Sequence, residues 1–357
     1  MTELADGFAR PSAGDAAPRI GLKRPRGRWP ALALGLALLA GFAAPLATGA
    51  AVPGFFIEVL LGGLMAGVLY ALVALGFVLI YKSSGVFNFA QGSMVLFAAL
   101  TTARLAERMP LALAFCIALG VMIVFAWLVE RLVLRPLVNQ DPVVLLMATL
   151  GVTYFIDGFG QTVWGADVYK IDLGLPKEPI IVLQRVFDGG ILINGEDIVA
   201  AAVVALLVLL LALFFQKTST GRALRAVADD HQAAQSVGIA LNWIWVIVWS
   251  VAGFVALVAG MIWGSKLGVQ FSLAQVALKA LPVVILGGLD SVPGAIVGGL
   301  IIGVGEKMAE VFLGPALVKA FSLAGSGIEN WFAYVLALLF LLVRPEGLFG
   351  ERHIDRV

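Results

Sequence analysis

Long apolar runs alternate with short polar segments along almost the whole chain. The runs are Ala31–Ala51, Ile57–Tyr81, Phe89–Ala103, Leu111–Leu134, Val143–Trp164, Ile198–Phe215, Trp243–Trp263, Ala277–Gly305 and Trp331–Val343. A helix needs roughly 20 apolar residues to cross about 30 Å of hydrocarbon. The pattern therefore predicts an all-α polytopic membrane protein with about eight to ten crossings. Phe89–Ala103 is short for a span. Ala277–Gly305 is too long for one, and Pro282, Gly287-Gly288, Pro293-Gly294 and Gly298-Gly299 interrupt it. Irregular backbone at membrane depth survives only where protein or a water-filled cavity covers its freed polar groups. This run reads as two short segments, re-entrant or crossing, that line the interior.

Charge then orients the spans. Residues 1–29 carry Arg10, Arg19, Lys23, Arg24, Arg26 and Arg28 among Pro, Gly and Ala, as expected of a disordered basic tail on the cytoplasmic side. Lys82, Arg131, Arg135, Lys217, Arg222, Arg225 and Arg344 fall where alternation also predicts the cytoplasm. Gly165–Asp197 holds three basic and six acidic residues, as expected of an external loop. Arg104 and Arg108, beside Glu107, fall outside against that rule. The apolar stretch Ala31–Ala51 exceeds the core of a cleaved signal, about 7–15 residues, and reads as a retained span. Residues 30–345 then form one transmembrane domain, followed by a cytoplasmic tail, 346–357.

Composition sharpens this and excludes several functions. Hydrophobic residues make up 61% of the chain and charged residues 13%, with a mean hydropathy of +1.00; soluble domains use about 25% charged residues. The net charge of +1 says little about nucleic acid, and no nucleic-acid partner is expected. Cys116 is the single cysteine, and His231 and His353 are the two histidines, so no metal site or internal disulfide is expected. A phosphate-binding P-loop requires a Gly-Lys step, and the sequence contains none. Any ATP that drives this protein is hydrolysed by another chain. No histidine lies within an apolar run and no acid–base pair stands at membrane depth, which argues against an intramembrane enzyme.

Polar residues inside the runs are candidates for a solute path, because burying a charge at the bilayer centre costs about 2.5–3.5 kcal/mol on the insertion scale. Thr149, Thr153, Asp157 and Gln161 recur every four residues and share a helical face. Asn88 and Gln91, three apart, share another, with Asn88 also placed to cap a short helix. Gly287 and Gly288 mark the broken run. With Gly85 and Gly92 they also read as close-packing points. Glu306 and Glu310 are expected on a hydrated outer face near Lys307 or Lys319.

The polar segment 216–242 contains Gly221, Arg222 and Arg225, followed by Gln232-Ala233-Ala234 and Gly238. Ser219 or Thr220 is placed to cap a short helix, and Gly238 to end a second one. Small residues let such a helix dock closely into a groove. This segment resembles the coupling loop of ABC-importer permeases, with Gln232 where that family has Glu. Further matches run in order: Gly63-Leu64-Met65-Ala66-Gly67, Phe87-Asn88-Phe89-Ala90-Gln91-Gly92, Thr149-Leu150-Gly151, Ile285-Leu286-Gly287-Gly288, and Arg344-Pro345-Glu346-Gly347-Leu348-Phe349-Gly350. They resemble the branched-chain amino acid (Leu/Ile/Val-type) importer permeases, a family that also includes urea and short-amide permeases.

The resemblance implies a transport subunit, not an enzyme, in a bacterial inner membrane. It also implies a second permease subunit (self or paralogue), two cytoplasmic ABC ATPases and an external substrate-binding protein. The chain itself would bind no cofactor, ATP being hydrolysed by the partners, and transport would proceed by alternating access. A self-sufficient secondary transporter is the alternative of another class. It would need coupling-ion ligands at membrane depth, for which Asp157 alone is available. A purely structural assembly subunit remains a third reading.

Overall fold

The computed structural model describes residues 53–137, 140–184, 186–187, 190–229, 231–322 and 327–350. The expected tail 1–29 and the run Ala31–Ala51 lie outside the described residues. Helices α1 (Pro53–Ser84), α2 (Gln91–Ala106), α3 (Leu111–Val129) and α4 (Pro142–Trp164) come first. A π turn (Glu130–Leu134) and a 3-10 turn (Arg135–Leu137) prolong α3. A hairpin of β1 (Pro179–Val182) and β2 (Ile191–Asn194) follows, with Pro179 opposite Asn194. Next come α5 (Gly195–Lys217), α6 (Ser219–Asp229), α7 (His231–Ser236) and α8 (Leu241–Leu267). The chain ends with α9 (Ser272–Leu278), α10 (Ala280–Gly287), α11 (Val292–Met308), α12 (Gly314–Phe321) and α13 (Ile328–Val343).

Among the described residues, five helices are long and apolar enough to cross a membrane, or six if the bent pair Ser272–Gly287 and Val292–Lys319 counts as one span. The all-α polytopic reading stands on these. α3, α4 and α5 expose wholly apolar side chains such as Val124, Phe155 and Leu206, a surface only lipid or another membrane subunit can cover. α1 and α8 are instead buried through most of their length.

The two ends of the bundle differ in charge. Trp245 Nε1 donates to Ser83 O at 3.1 Å, and Lys82 Nζ to Asp290 O at 3.1 Å. Arg135 donates to the amide oxygen of Asn242. These bonds gather Lys82, Arg135 and the 216–242 segment at one end. At the opposite end Lys266 pairs with Asp197, and Ser265 donates to Glu196 at 2.7 Å. In the acidic segment there, the Gly174 N–H and then Lys177 hold the exposed Asp172 carboxyl below its usual range. Arg104 pairs with Glu107 at 2.7 Å and stacks 4.9 Å from the Tyr169 ring, so its charge is answered locally.

Two seams fix the core. α1 and α11 run antiparallel with their backbones in contact. A Cβ on Gly63 would lie 2.8 Å from Val304 Cα, one on Gly67 2.6 Å from Gly299 O, and one on Gly299 2.7 Å from the Cβ of Ala71. Gly63, Gly67 and Ala71, spaced by four, thus face Gly299 and Gly303 in a small-xxx-small seam. The second seam joins α2 to α8, where a Cβ on Gly260 would reach 2.5 Å from Val95 O.

The short run Phe89–Ala103 also has its explanation. α2 begins only at Gln91, beside Gly76 of α1, about 12 Å along the axis from Ser84. Residues 85–90 therefore re-enter the bundle in irregular form, and a helix of 16 residues completes the passage. All of Gln91–Ala103 is buried. Gly85 is not a close-packing point. A Cβ there would meet nothing within 4 Å, and its φ of +70° makes it a turn residue.

Candidate functional site

The 216–242 segment sits at the basic end, with α6 fastened to the end of α5. The last carbonyls of α5 have no intrahelical donors, as at every helix end. Arg225 supplies them, donating from Nη1 to Phe215 O and from Nη2 to Gln216 O at 3.5 Å. Arg222 Nη1 donates to Lys217 O at 3.3 Å. Both cations also sit where the helix dipole favours positive charge. Gly221 permits this fold-back, since a Cβ there would lie 2.0 Å from Phe215 O. Thr218 caps α6, its Oγ1 accepting from Gly221 N at 3.1 Å. The expected caps, Ser219 and Thr220, lie inside the helix: the chain leaves α5 at Thr218, the last position with extended backbone.

α6 buries Leu224 and Val227. α7 carries Gln232, Ala233 and Ala234, with Ala234 buried and Ala233 exposed. Gly238 ends the motif as expected. At φ +87° it precedes Ile239, whose N–H reaches back to Ala234 O at 3.0 Å, the closing bond of a Schellman turn. Its exposed residues include Gln235 and Ser236 beside Val237, which is 76% exposed.

A cleft of about 210 Å³ opens between this segment and the broken run, lined by Lys82, Phe215, Gly221, Arg225, Asp290 and Phe349 among others. The run is broken as expected: α10 and α11 form a hairpin turned at residues 288–291, the two arms bent by 116°. Ser291 caps α11, accepting from Gly294 N at 3.1 Å. Gly287 and Gly294 touch through their backbones, and a Cβ on Gly288 would lie 2.7 Å from Gly350 N. Leu348 N and Phe349 N donate to Leu286 O and Gly287 O at 2.8 and 3.0 Å. The start of the expected tail 346–357 is thus a clamp on the hairpin turn. Gly287 and Gly288 are its contact points at the basic end, away from mid-depth.

The other path candidates divide into two groups. Asn88, Gln91 and Thr149 are buried and serve the re-entrant segment. Asn88 Oδ1 accepts from Ala90 N at 3.0 Å, forming a local cap. Thr149 Oγ1 donates to Leu146 O (2.9 Å) or Phe87 O (3.2 Å) and lies 3.5 Å from Phe89 N. Gln91 Nε2 donates to Ala252 O at 3.3 Å, between α1 and α8. It is fully buried inside the subunit. Thr153, Asp157 and Gln161 do share one side of α4, next to the stripe Val152, Ile156 and Gly160 that packs on α2. Thr153 back-bonds to Thr149 O at 2.8 Å, Asp157 Oδ1 has no partner, and Gln161 is exposed.

Glu306 departs from expectation. It is buried and pairs with Lys279 Nζ at 2.8 Å and Tyr70 OH at 3.2 Å, whereas Glu310 pairs with Lys307 at 2.9 Å. The hairpin fold brings Lys279 back against Glu306 from 27 positions away, a pairing that helical spacing cannot announce.

Long apolar helices, a glycine-seamed core and a helical cap facing a broken hairpin across a cleft define a polytopic membrane protein. The family described as "Branched-chain amino acid transport system / permease component" matches residues 59–344, and the chain belongs to it. It is 29% identical over 315 residues to the high-affinity branched-chain amino acid transport system permease protein BraD of Pseudomonas aeruginosa, spanning 85% of this chain and 98% of that protein. It is 25% identical over 325 residues to the corresponding LivH of Escherichia coli K12, spanning 85% and 98%.

Proposed function

We propose that this chain is the permease of an ATP-driven importer of branched-chain amino acids, and that residues 216–242 receive a partner ATPase. In this reading the basic end is cytoplasmic, as the positive-inside rule favours, and the membrane is the bacterial inner membrane. Both termini lie on the cytoplasmic side. A second permease subunit completes the path, an external binding protein delivers the solute, and the chain carries out no covalent chemistry. The ATPases bind and hydrolyse the ATP.

One observation carries the mechanism. Arg225 and Gly221 fasten α6 to the end of α5, and the same junction shares a cleft with the turn of the α10–α11 hairpin. A push on α7 therefore cannot be absorbed within a slack loop. It moves α5 as a lever and bears on the hairpin, which is the irregular element inside the bundle. The scarcity of buried charge suits a solute whose side chain is aliphatic, and the similarity to BraD and LivH supports the same cargo.

The test is uptake of labelled leucine, urea and a short amide by proteoliposomes holding the permease with its partners, with and without ATP. ATP-dependent accumulation of leucine alone is expected. Accumulation without the ATPases would make the protein a secondary transporter, and preference for urea or amide would overturn the cargo.

A further inference from the structure

The α10–α11 hairpin is tied at both ends. At its turn it is clamped by Lys82, Gly347 and Phe349. Far from the turn, a single polar cluster ties its two arms. Lys279 occupies the one-residue joint between α9 and α10, and Glu306 stands near the end of α11. Their 2.8 Å ion pair joins the arms directly. Tyr70 OH adds α1 by donating to Glu306 Oε1, and Lys279 Nζ reaches Glu329 O of α13 at 3.5 Å. Tyr70 lies midway between Glu58 and Lys82, about 18 Å along α1 from each. Glu306 stands nearer the acidic end, since its neighbour Lys307 packs beside Gly63.

Stability alone gives no reason for charges here. The desolvation of two buried ions offsets their attraction, and apolar residues of similar volume commonly serve as well or better. Glu306 is only 7% exposed, and its Oε2 has no hydrogen-bond partner, a further cost. What the pair supplies beyond packing is a directional, breakable link from the α9–α10 joint to α11, whose first residues, Val292 and Pro293, line the basic-end cleft. The open side of α9, with Ser272 and Gln275 exposed, lies directly before this joint.

We propose that Lys279 and Glu306, with Tyr70, are positioning residues of the transport cycle. The pair latches the α9–α10 arm to α11 in this conformation, and it opens when the hairpin turn is displaced from the α5–α6 junction. Opening frees the joint at Lys279 and re-aims the polar side of α9. This rests on the function proposed above.

The experiment uses the assembled transporter in proteoliposomes, reading ATP hydrolysed per leucine accumulated. Leucine uptake by the unmodified complex tests the importer reading; only the variants' ratio tests the latch. Lys279→Met with Glu306→Met removes both charges at similar volume. It is expected to keep assembly, melting temperature and ATPase activity while the ratio rises at least about tenfold. The charge-exchanged pair, Lys279→Glu with Glu306→Lys, is expected to recover most of the coupling. Glu306→Gln keeps both hydrogen bonds and removes the charge, so it decides the matter if the double Met variant does not assemble. Its ratio is expected to rise at least about threefold. A wild-type ratio in the assembled Met pair, or in Glu306→Gln, overturns the proposal.

Discussion

Gly303 and Gly67 bring two helix backbones into contact: a Cβ on Gly303 would lie 2.4 Å from the Cα of Gly67. No side-chain rotation can relieve that overlap, since both partners are main chain. The α1–α11 seam therefore has no room for one methyl group, and the position of the whole hairpin follows from it.

Gly303→Val is expected to lower stability by about 1–3 kcal/mol through overpacking, or to prevent accumulation in the membrane. Gly62→Ala, where a Cβ meets nothing within 4 Å, is expected to unfold like the parent. Thermal unfolding of both proteins in detergent checks the contrast.

Arg225→Ala strips the donors from the last carbonyls of α5. Leaving the part-buried Phe215 O unpaired costs about 1 kcal/mol, and the junction between α5 and α6 loosens. Reduced melting temperature together with loss of ATPase co-purification is expected. Unchanged co-purification would show that the fastening is not used in coupling.

At Gly238 the left-handed backbone, φ +87°, costs an L-residue about 1–2 kcal/mol. Gly238→Asp and deletion of residues 222–238 are both expected to abolish co-purification of the ATPase while the permease still inserts. Binding retained by both would remove the 216–242 segment from the coupling role.

Thr149→Val keeps the shape of the side chain but removes the hydroxyl beside Phe87 O and Phe89 N. About 1–2 kcal/mol of stability should be lost, and Thr149→Ser should restore it. Hydrogen exchange of residues 85–90 is the sensitive readout, because that irregular segment depends on the hydroxyl.

The 216–242 segment was largely legible because its signals are local. Gly238 ends a short helix where its conformational freedom predicts, and the break within Ala277–Gly305 follows from Pro and Gly positions alone. Even so, the cap fell on Thr218, not on its neighbours. A hydroxyl can serve from several adjacent positions, and only the direction in which α5 ends selects one. The seam residues Gly63, Gly67, Gly299 and Gly303 carried a small-xxx-small spacing, but spacing does not say which helix meets which.

The path candidates show the same division more sharply. Polar residues in apolar runs stand out in the sequence as exceptional. Asn88 and Thr149 proved to satisfy irregular backbone, and Glu306 proved to be an ion-pair partner. Residue type reveals that a polar group at membrane depth needs a partner, not which partner it finds.

By itself the sequence determined the membrane-spanning helical class, the permease family and the location of the broken run. Each follows from hydropathy over a window or from motifs read in order, and neither depends on distant contacts. Only the tertiary structure decided that Lys279 meets Glu306, that Gly67 meets Gly303, and that the α5–α6 junction shares a cleft with the hairpin turn. Those pairings join residues far apart in the chain, and they are set by which helix faces can approach to backbone contact.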